Sequence, residues 1–302
     1  MDMPSSHLTL TRRRFLGAGA LFGAGITLTA CDEVFPQAPQ TSEALARLGG
    51  VIKGAQERQR RAGNKAMATF LGEQRKLVLQ ESLRQCGEDK NGNPPQECAD
   101  AAHGGSSEGQ LDSAYTEALQ EDGPEAGHSL VAGLYAAYMT TQQRAPRKPP
   151  ITPQVVDGFR GEGQDGQLSD LLKMSYAAIY SSGPALAQAD EGARPPIETT
   201  ANRLRTLRDA TIEVLDDLGA NVPTPEAAYI SDNPGDNLFY PTLRPITVQL
   251  RRLAGMGGTA EARIFAATWC GLVSRGEAAL EGDPLQVTLR GCLLYTSDAA
   301  DE

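Results

Sequence analysis

Residues 195–219 read PPIETTANRLRTLRDATIEVLDDLG. Ile197, Ala201, Leu204, Leu207, Thr211, Leu215 and Leu218 recur three or four positions apart. That spacing stacks side chains on one face of an α-helix; a strand would alternate every second residue. Pro195 and Pro196 stand at the opening, where proline's missing N–H costs nothing. Gly219 stands at the close, where helices often need a left-handed residue. Steps that alternate between three and four favour shallow, near-antiparallel helix packing.

The same pattern extends on both sides. Downstream, Leu243, Ile246, Leu250 and Leu253 predict a helix closing near Gly257-Gly258, and Ile264, Phe265, Trp269, Leu272 and Val273 predict a last one. Between them and Gly219 lies a loop rich in Asp, Asn, Pro and Gly, 220–241. Upstream, Leu168, Leu171, Leu172, Tyr176, Ile179 and Leu186 form another stripe. Residues 144–167 are Pro-rich, then Gly-rich, the composition of a linker. In residues 42–143, Leu45, Leu48, Ile52 and Ala55 precede a break at Gly63-Asn64, after which Met67, Phe70, Leu71, Leu77 and Val78 follow. Leu111, Tyr115 and Leu119 come before a break at Gly123-Pro124, and Leu130, Leu134 and Tyr138 after it. No alternating stretch of useful length interrupts these, so the predicted fold class is all-α. The pattern leaves open whether residues 42–143 form a bundle of their own or pack onto the rest.

The chain has 28 Lys+Arg against 38 Asp+Glu, and residues 31–291 keep a net charge of −9. An acidic surface disfavours nucleic acid and charge-driven adhesion to anionic lipid. Cys86 and Cys98 flank a loop dense in turn formers, and pairing them in an oxidising compartment would stabilise by roughly 2–3 kcal/mol. A metal site using these cysteines and His103 is the rival, but further ligands at zinc spacing are missing. Cys270 lies in an apolar helical setting and reads as a small buried hydrophobe.

The ends carry addresses. Arg12, Arg13 and Arg14 precede Phe15 and Leu16 and a short, weakly apolar run to Ala30. This resembles a twin-arginine export signal, so the export machinery is an expected partner. Leu28-Thr29-Ala30-Cys31 resembles a lipobox, which implies acylation of Cys31 and attachment to the extracytoplasmic face of the cell membrane. Residues 1–30 are then the signal peptide and 31–41 a tether. Residues 292–302, CLLYTSDAADE, resemble a translated sequencing adaptor, so Cys292 is left out of every pairing argument.

A further resemblance covers residues 168–290. Ser175-Tyr-Ala-Ala-Ile-Tyr-Ser-Ser-Gly183, Leu207-Arg-Asp-Ala210, Ala228-Tyr229 and Trp269 resemble the pattern of a ferritin-like domain of unknown function in exported actinobacterial proteins. The resemblance implies a ferritin-like four-helix bundle over 168–291, with the N-terminal helical region additional to it. It supplies no activity. The family commonly has Glu where this chain has Ser175, and His where it has Leu204.

Di-iron bundles need a Glu from each of two helices and Glu-x-x-His from two more. Of His7, His103 and His128, only His128 fits, in Glu125-Ala-Gly-His128. The plainer reading of this match is a solvated first turn. Glu213, Asp216, Asp217, Glu261 and Glu277 fall off the apolar stripes and read as solvated. Trp269, Tyr176 and Tyr180 read as core. No nucleophile elbow and no phosphate loop is found. The expectation is a non-enzymatic, lipid-anchored binding or interaction module without catalytic residues or cofactor, its protein or small-molecule partner unnamed by the sequence. The alternative is an iron- or manganese-binding envelope oxidoreductase or storage protein using Glu125 and His128. A solute-capturing lipoprotein is weaker, because the α/β pattern usual for such receptors is missing.

Overall fold

Ser42 caps the first helix. Its hydroxyl accepts a hydrogen bond from the Leu45 N–H, satisfying one of the orphan donors of a helix start. The computed structural model describes residues 42–88, 91–229 and 239–281. The positions of Arg12, Arg13, Phe15, Leu16 and Cys31, and the 292–302 tail, lie outside them. All described residues belong to one compact unit, 39–302.

Ten helices are described and no strand is among the described residues. In order they are α1 (Glu43–Arg61), α2 (Lys65–Gln85), α3 (Gln96–His103), α4 (Leu111–Gln120), α5 (Glu125–Thr141), α6 (Pro153–Asp157), α7 (Gln164–Gln188), α8 (Arg194–Leu218), α9 (Phe239–Met256) and α10 (Ala260–Glu281). The protein is all-α. Gly63, with φ +76°, turns the chain between α1 and α2, and Gly219, with φ +69°, ends α8. Cys86, at the end of α2, is bonded to Cys98 on α3 with an S–S distance of 2.06 Å.

The packing centres on α10. It touches α4, α5, α6, α8 and α9. From Ala262 to Ala278 every residue except Ile264 and Arg275 is buried. A helix buried all round marks the middle of a core rather than its edge. Around it, α7 packs on α8, α8 on α10, α10 on α9 and α9 back on α7. The other face of the α9–α10 pair takes α5, which carries α4 and α2 with it. The apolar core is therefore continuous from Leu48 and Ile52 on α1 to Trp269 and Val273 on α10.

Residues 144–167 carry more than their composition suggests. Val155, Val156 and Phe159 are buried, and Phe159 meets Phe265 edge-on at 6.2 Å. Gly258 N donates to Gly158 O at 2.8 Å, and the Thr259 hydroxyl donates to Gln154 O at 2.8 Å. A side chain at Gly158 would strike Thr259 and Ala262, so glycine there permits the close approach. Pro and Gly set the shape of this segment, and three apolar side chains fix it to the start of α10.

Candidate functional site

The one sequence match to a metal motif, Glu125 and His128, lies on the first turn of α5. The two side chains have different surroundings. Glu125 is exposed and lies along the end of α9, where a Cβ on Gly255 would come 2.9 Å from its Cγ. His128 is buried, and its Nε2 donates to Glu121 O at 2.8 Å. The plain reading as a solvated first turn is therefore corrected for His128, because the α4–α5 elbow folds over the ring. Burial, the largest influence, holds the imidazole pKa below its ordinary value, while the hydrogen bond to Glu121 O and the Asp122 and Glu121 charges pull the other way; Arg263 adds to the depression. Among the described residues, no three His, Cys, Asp or Glu side chains are grouped closely enough to hold a metal ion. At His103, Nδ1 donates to Ala99 O at 2.7 Å, and both cysteines of the rival metal reading are tied up in the disulfide.

His128 lines a shallow, solvent-open cleft with Ser42, Gln85, Glu121 and Gly127. Glu121 organises it. Its carboxylate accepts from Ala44 N at 2.7 Å, at the N-terminus of α1, while its carbonyl takes His128. An anion at a helix N-terminus meets both free N–H groups and the positive end of the dipole.

Behind the elbow sits a residue that sequence reading missed. Arg263 on α10 is only 4% exposed. Its guanidinium donates to Leu119 O at 2.6 Å, Gln120 O at 3.0 Å and Gly257 O at 3.1 Å. It thus satisfies the orphan carbonyls at the end of α4. Twelve positions on, Arg275 repeats the device on α5, donating to Met139 O and Gln142 O, each at 2.6 Å. Desolvation lowers the Arg275 pKa; it also lowers that of Arg203, with Arg275 a smaller contributor there. Two arginines set among the apolar residues of α10 were the available signal. Their targets, on α4 and α5, were not visible in the pattern.

The residues that carried the family resemblance divide between core and surface. Ser175 and Leu204 are fully buried, and Ser175 Oγ donates to Leu171 O of its own helix at 2.8 Å. Trp269 is buried and meets Phe265 edge-on at 6.5 Å. Tyr176 is half-buried; desolvation raises its pKa, and Arg208 beside it acts in the opposite sense. Tyr180 departs from the core expectation. It is 47% exposed and faces Tyr229 at 5.6 Å. Tyr176 and Tyr180, four apart, share one helix face, and the 220–229 segment covers it only in part.

Among the carboxylates read as solvated, Glu213, Asp216, Asp217 and Glu261 are exposed, but Glu277 is buried. The correction has the same origin as the centrality of α10: neighbours on several sides leave it no solvent face over that stretch. Cys270 is buried as expected, and its thiol donates to Thr247 O at 3.5 Å. Among the described residues no helix is long and apolar enough to cross a membrane. No protein-family model, curated protein or solved structure matches the chain.

Proposed function

We propose that the protein is a lipid-anchored, extracytoplasmic helical module that works by binding rather than by metal chemistry. In this reading α7–α10 form a ferritin-like four-helix bundle, and α1–α5 are a helical addition packed on its α9–α10 face. The closed ring of contacts α7–α8–α10–α9 supports the bundle. The observation that carries the non-ligating interior is the pair Ser175 and Leu204. Both stand inside, where the resembled family commonly has Glu and His, and the Ser175 hydroxyl is spent on its own backbone. A leucine offers a metal nothing, and a neutral hydroxyl already donating to a carbonyl offers little.

The anchoring half of the proposal rests on Cys31 and the arginine motif at Arg12 and Arg13. Expression in a bacterium with labelled fatty acid should give a labelled, membrane-retained product. Cys31→Ser should lose both label and retention; a retained Cys31→Ser protein would refute the anchor. Elemental analysis of the exported chain should find no stoichiometric iron, manganese or zinc. A tightly bound metal that disappears in Glu125→Ala or His128→Ala would favour the envelope metalloprotein instead.

A further inference from the structure

We propose that a cleft between α1, α2 and α3 is an oxyanion site that takes a phosphate group. The cleft is shallow and open to solvent, so a phosphate would seat at its mouth, and it is separate from the His128 elbow. Three helices each bring one basic side chain to it: Lys53 from α1, Arg75 from α2 and His103 from α3. Its floor is Gly49 and Gly50 with Val78 beside them. Gly50 has to be glycine because the 105–106 backbone crosses α1 there.

Two observations separate this from an ordinary solvated basic face. The protein carries a net charge of −10, yet neither Lys53 nor Arg75 forms a salt bridge with any described residue. And the basic groups converge on a concavity from different elements, with α3 tied to the end of α2 by the Cys86–Cys98 bond. Arg75 presents a planar fork suited to two oxygens of one phosphate, and Lys53 adds a compact point charge. The His103 ring, at the rim, is held by its Nδ1 hydrogen bond to Ala99 O, so the binding contacts fall to Lys53 and Arg75. A phosphate ester and free phosphate share this chemistry, as does the phosphodiester of a lipid headgroup. The inference is independent of the anchoring and bundle readings above.

The test is calorimetric titration of the purified full-length chain with inorganic phosphate at low ionic strength, beside sedimentation with phosphatidylglycerol and phosphatidylcholine vesicles. Saturable phosphate binding is expected. Lys53→Gln and Arg75→Gln should each weaken it by about tenfold or more, as loss of one charge-assisted contact does. Lys65→Gln, an exposed change at the start of α2, should leave it alone. Both cleft variants alter side chains that reach solvent, and unchanged far-UV circular dichroism verifies that they fold. Phosphate binding without Lys53- and Arg75-dependent binding to phosphatidylglycerol vesicles assigns a soluble phosphate compound. Vesicle binding that inorganic phosphate competes away and the two variants lose assigns a lipid headgroup. If neither probe binds saturably, or binding survives both cleft variants unchanged, the site is refuted.

Discussion

In α7, α8 and α9 the buried hydroxyls turn back on their own helices. Ser175 donates to Leu171 O, Thr200 to Pro196 O, Thr211 to Leu207 O and Thr247 to Arg244 O, all between 2.7 and 2.9 Å. In α1–α5 the buried polar side chains mostly reach across. Gln56 donates to Ala68 O on the next helix; Gln74 donates to Leu134 O on α5 and accepts from the Tyr115 hydroxyl on α4 at 2.6 Å. Arg263 then ties α10 to the end of α4. A hydroxyl satisfied within its own helix makes no demand on its neighbours; the polar ties between α7 and α9 come instead from Gln164, donating to Met256 O at 2.6 Å, and Gln249, donating to Gln167 O at 2.8 Å. A bond between elements makes the two depend on each other, and losing one partner strands the other. The contrast is one of side-chain type: buried hydroxyls stay local in α7–α9, while glutamines and arginines join elements in both halves.

The comparison is broken most severely at Arg263. Arg263→Met takes the guanidinium away from the carbonyls of Leu119 and Gly257, whose hydrogen bonds to it are buried. The expected loss is about 2–4 kcal/mol, since each buried carbonyl left without a donor costs about 1–3 kcal/mol. Urea denaturation of the variant measures it. A loss below about 1 kcal/mol would mean the elbow opens and hydrates. Smaller effects come from the Gln74–Tyr115 pair. Tyr115→Phe should cost about 1–2 kcal/mol, and the double variant with Gln74→Met should cost less than the two single changes added together. Strict additivity in that cycle would remove the hydrogen bond from the account of how α2 and α4 are joined.

His128 gives a pH-graded version of the same contrast. Its folded pKa lies below the ordinary 6.5, burial being the main cause. As pH falls, the unfolded chain therefore takes up the proton first. The contribution of the neutral ring is complete above the ordinary imidazole pKa and drains away as pH drops through the folded value. The groups facing it are Glu121, Asp122 and Arg263. Denaturation midpoints at about pH 8 and about pH 5 should differ more in the parent chain than in His128→Asn. An equal difference would place the acid sensitivity in the carboxylates.

The same division explains what could be read from the chain in advance. Helix ends were legible because they are local: Gly63, Gly219 and the Pro195–Pro196 pair act through their own backbones. The Cys86–Cys98 pair was legible because only a short loop separates the two residues. Hydroxyl back-bonds are local too, and they let Ser175 sit in a core without a partner elsewhere. What lay beyond a single chain's pattern was the contacts made between elements far apart in sequence. The capping of α4 by Arg263 spans 144 positions, and the inside of α10 exceeds the apolar stripe that its spacing predicts. Glu277 was misplaced for that reason. Helical periodicity reports how many faces are apolar in sequence, whereas burial depends on how many neighbours arrive. The segment 144–167 misleads in the opposite direction, since turn formers dominate its composition while three apolar residues determine where it goes.

The smallest expected effect tests the other side of the contrast. Ser175 is fully buried, a place where losing a polar group usually matters. Its hydroxyl, however, satisfies a carbonyl, Leu171 O, whose helical hydrogen bond exists without it. Ser175→Ala removes one donor and leaves no partner stranded, so the change in stability should stay within about 0.5 kcal/mol. Ser175→Glu is the informative companion. It places a carboxylate at a fully buried position whose neighbours on the same helix face, Leu171 and Leu172, are buried as well. In an apolar interior that carboxylate should stay protonated at neutral pH or unfold the helices around it. Should Ser175→Glu instead fold as well as the parent and bind manganese or iron, the interior between α7 and α8 would be a ligand site that has lost one residue, and its apolar character would be incidental rather than structural.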